Sequence, residues 1–195
     1  MRRTGFSDGC RVVVEQVDDR EWVVREGFTY TGGRGDVFEV YEGMRTDFAS
    51  VPRIFVWLLP RYGRWTKAAL LHDLLWREHA ATGRMDWIDA DGLFRRAMRE
   101  LGVPFLRRWI MWTAVRWAAL LKPGGRRRWL REAPRVLLFS VLAAPVVVPP
   151  AAVILVALLL FWLLEALVWL GLAAGRLVRP PEKDLNPPEL EWTTG

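Results

Sequence analysis

The chain of 195 residues carries 28 Lys and Arg against 22 Asp and Glu, a net charge of +6, and 52% of it is hydrophobic. Its single cysteine, Cys10, excludes an intramolecular disulfide and requires no oxidising compartment. Nearly all the charge precedes residue 134, and Glu165 is the only ionisable residue between 136 and 175. Composition therefore separates a charged module, large enough for one modest core, from an apolar segment.

The first nine residues hold two arginines with no apolar run behind them, so no secretory signal is expected and the N-terminal module is placed in the cytoplasm. Residues 10–17, 21–31 and 37–41 are rich in Val, Phe, Tyr and Trp. They are separated by Asp18-Asp19 and by Gly32-Gly33-Arg34-Gly35-Asp36, and they predict a small antiparallel sheet with Cys10 as a buried strand residue. After Pro52 the period becomes helical. An apolar turn at 54–59 stops at Pro60, and a helix follows over 63–79. Thr82-Gly83 breaks it. Asp86 and Asp89 then resemble an acidic capping box opening a helix that ends near Gly102. Pro104 opens another, over 104–121, ended by Pro123-Gly124-Gly125. The predicted fold is α+β, with a small antiparallel sheet, three to four helices and a C-terminal transmembrane helix; residues 1–122 form the soluble module.

Residues 123–135 read as a basic juxtamembrane linker. Arg107, Arg108, Arg116, Lys122, Arg126, Arg127, Arg128, Arg131 and Arg135 face a single acid, Glu132, and are interleaved with Trp109, Trp112, Trp117 and Trp129. Such a mixture suits nucleic acid or anionic lipid headgroups, and its position beside the apolar segment favours lipid. In the membrane segment, 136–178, Pro145 and Pro149-Pro150 divide a short interfacial or re-entrant arm at 136–148 from a transmembrane helix at 151–175. A single crossing is preferred, with the module inside a bacterial inner membrane and the tail outside. Glu165, bracketed by Trp162 and Trp169, is expected to be protonated or buried against another helix, as in an oligomer. The Pro-rich tail, 179–195, is expected to be disordered.

Polar residues cluster at three places. Thr46-Asp47-Phe48-Ala49-Ser50-Val51-Pro52-Arg53 lies at the strand-to-helix junction, where Asp47 or Ser50 could cap a helix start, or Asp47 and Arg53 could form a fixed charge pair in a pocket. His72 falls on the apolar face of the next helix. His79 is two turns on, about 10 Å away, too far to share a metal ion with it, and reads as surface or helix end. Asp91 stands in the apolar stripe Trp87, Phe94, Met98 and Leu101, so it needs a partner. His72 is the expected one across an antiparallel helix pair, with Asp73 and Lys67 close by. A buried clamp between helices is the preferred reading of that pair, ahead of proton transfer or a metal site.

Three further stretches recur beside the Thr46–Arg53 motif: Gly63-Arg64-Trp65-Thr66-Lys67-Ala68-Ala69, Leu71-His72-Asp73 and Asp89-Ala90-Asp91. Together, over roughly residues 10–121, they resemble the bacterial and phage family called Domain of Unknown Function 1353. The resemblance implies a small α+β module frequent in phage and prophage genomes, with no activity to carry over. Its motif positions fall on Asp47, Ser50, Pro52, Arg53, His72, Asp73 and Asp91.

Two principal functions follow as expectations. One is a membrane-anchored, phage-associated module that binds a protein partner. The other is a membrane-tethered hydrolase, with His72 as acid/base oriented by Asp91, Asp47 or Asp73 aiding a metal or water, and Ser50, Arg53 and Lys67 binding. No cofactor is expected, though a divalent metal is compatible with the second. A pore-forming oligomer built on Glu165 is a third class.

Overall fold

The computed structural model describes residues 4–18, 21–48, 51–176 and 187, so nearly all of the tail expected to be disordered lies outside the described residues. The architecture is α+β. Among the described residues six short strands, β1 (Gly5–Phe6), β2 (Val14–Gln16), β3 (Trp22–Val24), β4 (Phe28–Thr31), β5 (Val37–Val40) and β6 (Arg45–Thr46), form two antiparallel three-stranded sheets. Their orders are β1-β4-β5 and β2-β3-β6.

Two sheets replace the single expected one because the run 21–31 is interrupted at Arg25-Glu26-Gly27. There the chain leaves β3, paired with β2 and β6, and enters β4, paired with β1 and β5. Gly27 permits the crossing, since a Cβ at this position would stand 2.7 Å from the Val40 carbonyl oxygen. Cys10 lies in the loop before β2 rather than in a strand, and is half-buried.

Helices follow the sheets. Helix α1 (Thr66–Leu74) continues as a π-helical segment, Leu75–Ala80, followed by α2 (Trp87–Glu100) and α3 (Phe105–Ala119). Helix α1 lies against β5, α2 against α1 and α3 against α2. Alternating residues of β4 and β5 (Phe28, Tyr30, Phe38, Val40) meet Leu70, Leu71, Leu74, Leu75, Phe94 and Met98 in one core. Gly102, with φ +71, ends α2 as expected of a left-handed C-terminal residue. The acidic capping box does not form. Asp86 precedes α2 without a side-chain capping bond, because its carboxylate is drawn instead to Arg128, whose Nη1 donates to Oδ2 at 2.5 Å.

The largest departure from the sequence reading is α4 (Trp129–Arg176), one helix of 48 residues that begins inside the basic linker and continues through Pro134, Pro145, Pro149 and Pro150. Each proline removes a donor from the carbonyl four residues earlier, at Leu130, Val141, Pro145 and Val146. In a segment whose side chains offer the backbone almost nothing, the helix still satisfies the remaining peptide groups, so the prolines do not end it.

The first three turns of α4 pack on α3. Val136 is fully buried, Phe139 stacks on Trp109 with centroids 4.4 Å apart, and Trp117 Nε1 donates to Ser140 Oγ at 3.1 Å. Beyond them the apolar side chains are predominantly exposed, from Leu142 to Leu172. Among the described residues this is the one helix long and apolar enough to cross a membrane, over Trp129–Ala174.

Candidate functional site

Adjacent residues of an α-helix point about 100° apart, so His72 and Asp73 necessarily serve different surroundings. His72 faces α2 and α3. Its Nε2 lies 2.7 Å from Asp91 Oδ1, the atom that also accepts Trp76 Nε1 at 2.7 Å, while Arg116 Nη1 donates to Oδ2 at 2.7 Å. Asp91 and Arg116 are wholly inaccessible, and the His72 ring is flanked by Trp76 at 4.8 Å and Phe94 at 4.6 Å. Three helices are thus tied through one carboxylate. The geometry is that of the expected clamp, and it leaves no room for a substrate beside Asp91.

Asp73 faces the opposite way, onto the Thr46–Arg53 loop. Thr46 Oγ1 donates to Asp73 Oδ2 at 2.5 Å and accepts the Phe48 backbone N–H at 2.9 Å. Asp47 is hydrogen-bonded to Asp73, and its Oδ1 accepts Arg77 Nη2 at 3.3 Å. Arg77 Nη1 holds the Arg45 carbonyl at 3.2 Å, so its guanidinium bridges the end of β6 to the loop. Desolvation, and then the neighbouring Asp47 carboxylate, push the Asp73 carboxyl up to about 8; the Thr46 hydrogen bond and the Arg77 charge oppose that rise. Near neutral pH one proton is therefore held within a carboxyl pair whose Asp47 side chain remains one-quarter exposed.

The loop is held under strain. Phe48 adopts φ +60, a left-handed conformation that a bulky residue reaches at a cost of about 1–3 kcal/mol, and its side chain is buried. The Phe48 ring contacts Trp22 at 5.7 Å and Tyr62 at 5.2 Å. These three rings line an open groove of about 760 Å³, with Arg64 and Lys67 on its wall. Gly63 also lines it. Only a residue lacking Cβ fits there, because the Trp65 ring would come within 2.8 Å of one.

The structure accordingly divides the sequence-selected residues. Asp47 and Asp73 meet, His72 and Asp91 meet, and the two pairs lie on different faces of α1. Lys67, expected beside Asp91, instead lines the groove and donates from Nζ to the Cys10 carbonyl at 2.5 Å. Ser50 lies outside the described residues, Pro52 is exposed, and Arg53 opens a 3-10 turn, Arg53–Phe55. His79, at the end of the π-helical segment, packs edge-on against Phe38 at 5.5 Å. On α4, Glu165 is exposed, while Trp162 and Trp169 are half-buried.

Four partners escaped the sequence reading: Trp76, Arg77, Thr46 and Arg116. Trp76 is one turn beyond His72, and Arg77 one turn beyond Asp73, so helical spacing does mark both. Arg116 was hidden among the basic residues preceding the membrane segment. Its place four residues after buried Trp112 and three before buried Ala119 puts it on an apolar stripe, where a charge needs a partner. The neighbouring tryptophans are also engaged inside the protein: Trp112 is buried, Trp109 lies 4.2 Å under the Arg95 guanidinium, and Trp129 Nε1 donates to the Arg116 carbonyl.

Among the described residues no group of three or more His, Cys, Asp or Glu is placed to hold a metal ion.

These features define an α+β module with a sealed ion-pair clamp, a carboxyl pair in which Asp73 is buried and Asp47 partly exposed, an aromatic groove, and a long apolar helix. Residues 22–115, just under half of the chain, match the family described as "Protein of unknown function (DUF1353)", and this segment is similar to that family. The matched region runs from β3 into α3 and contains the Asp47–Asp73 and His72–Asp91 pairs, but not Arg116. No curated protein and no solved structure matches the chain.

Proposed function

We propose that the chain is a membrane-anchored module, held by α4 at the cytoplasmic face of a bacterial inner membrane and acting there by binding a protein partner. The observation carrying this reading is the run of α4 beyond Ser140, in which large apolar side chains such as Leu160, Phe161, Leu164 and Leu167 are exposed. A helix apolar on every side requires an apolar solvent. The residues preceding that run, Arg126, Arg127, Arg128, Arg131 and Arg135, favour the inside for the module. Phage or prophage association, implied by the family resemblance, suits a role in lysis, exclusion or particle assembly. Topology is tested by C-terminal fusions: a periplasm-dependent phosphatase should be active and a cytoplasm-dependent fluorescent protein dark. The reverse pair would overturn the single crossing.

A second reading, a membrane-tethered hydrolase, is favoured by Asp73, which is protonated near neutral pH beside Asp47. Asp73 would supply a proton and Asp47 would accept one, with the aromatic groove holding the substrate and any divalent metal drawn to the carboxyl pair. His72 and Asp91 would only position the helices.

A further inference from the structure

The sequence places the basic run 123–135 next to the bilayer, but the packing of α4 on α3 points elsewhere. Trp129 sits at the C-terminal end of α3, where its Nε1 donates to the Arg116 carbonyl at 2.9 Å and its ring lies 5.2 Å from Trp117. Ten residues on, Phe139 stacks on Trp109 at 4.4 Å and approaches Phe105 at 6.3 Å, at the N-terminal end of α3. Helix α4 therefore crosses α3, with Ser140 held by Trp117 Nε1 at 3.1 Å, and its last ring on the module, Phe139, lies on the Phe105 and Trp109 side. The turn carrying Arg126, Arg127 and Arg128 lies at the opposite end, about 15 Å or more behind the exit.

The exit end exposes apolar residues, as the opposite end does at Leu121 and Leu130. Phe105 is 58% exposed and Leu106 51%. Arg107 is exposed, and its guanidinium lies 5.4 Å from the Trp65 ring, which ties the start of α3 to the loop before α1. That loop presents Tyr62, 49% exposed, and exposed Arg64, which share the groove wall with Leu101. The apolar turn after Pro52 also lies against α4 through Arg53–Phe55, and Trp57, two residues on, is 43% exposed. Exposed aromatic and aliphatic residues interspersed with arginines, next to the helix that enters the bilayer, are the composition of a membrane–water interface. A protein-binding surface could use the same residue types, but continuity with α4 and the positive charge of Arg64 and Arg107 favour lipid.

We propose that Trp57, Tyr62, Phe105 and Leu106, with Arg64 and Arg107, form a second membrane contact that seats this end of the module in the headgroup layer of an anionic bilayer. The inference rests on α4 as the membrane span and deepens that reading by fixing which face of the module meets lipid. It sets the groove mouth at Tyr62 and Arg64 toward the membrane surface and turns Arg126–Arg128 away from it.

The test uses the full chain with Cys10→Ser, reconstituted in vesicles containing phosphatidylglycerol. Single nitroxide labels are placed at W57C, L106C, L121C and F161C, with unchanged near-ultraviolet circular dichroism as the control for folding. The ratio of oxygen to nickel-chelate accessibility reports depth. Positions 57 and 106 should read at headgroup level, position 161 in hydrocarbon, and position 121, beside the basic turn, in water. If 57 and 106 are aqueous while 161 is deep, the second contact is wrong and the anchor stands; if 121 alone reaches the headgroups, the opposite end faces the membrane. Should 161 also be aqueous, the anchor reading fails and takes the inference with it.

Discussion

In α1 and its π-helical continuation, Leu70, Leu71 and Leu75 are completely buried, whereas in α4 Leu160, Leu164 and Leu167 are each more than half exposed. Polar groups follow the opposite rule. The module buries Asp91 and Arg116 entirely and pairs them at 2.7 Å, while Glu165 stands on the exposed surface of α4. The module thus buries a core and pairs its central charges, and α4 beyond Ser140 does neither. One part of the chain is folded by burial in itself, and the other awaits a different solvent.

Substitutions at the clamp should separate the two regions most sharply. Asp91→Ala leaves Arg116 charged and buried without its carboxylate, and should cost the module about 3–5 kcal/mol. Chemical denaturation of the full chain in detergent micelles, followed by near-ultraviolet circular dichroism, would show this, while membrane association through α4 should persist. Replacing both partners, Asp91→Leu with Arg116→Met, should recover much of the loss. A single variant as stable as the parent would mean that the clamp does not hold the helices together.

A smaller effect is expected at the Asp47–Asp73 pair. The Asp73 carboxyl is raised from 3.8 to about 8 in the folded protein, so between those values the folded state binds more protons than the unfolded state. Stability contributed by this group is therefore greatest below about pH 4 and is lost as pH rises toward 8. The denaturation midpoint should fall across that interval, and Asp73→Asn should flatten the fall. An identical slope in the variant would place the titrating group elsewhere. For the hydrolase reading, activity should be lost in Asp47→Asn and Asp73→Asn alike, with both chains still folded.

The α+β class, the helix periods and the apolar segment were all legible because each rests on local patterning. His72 with Asp91 was legible too, since a carboxylate within an apolar stripe requires a partner. The division into two sheets was not, because it depends on the backbone passing Gly27 close to Val40, a contact between residues distant in sequence. The unbroken α4 was missed for a different reason: proline predicts a lost hydrogen bond, and the surrounding solvent decides whether the helix survives it. The single site expected from His72, Asp73, Asp91 and Asp47 became two because neighbouring residues on a helix diverge, and only Asp73 turns toward Thr46 and Asp47.

Membrane extraction with alkaline carbonate tests the anchoring role of α4 most directly. The full chain is compared with one ending after Ala144, which keeps Val136, Phe139 and Ser140 on α3 and removes most of the exposed apolar run. The full chain should stay in the membrane pellet and the shortened one should be released, since any contact through Trp57 and Phe105 is peripheral. Retention of the shortened chain, or release of the full one, would contradict the account.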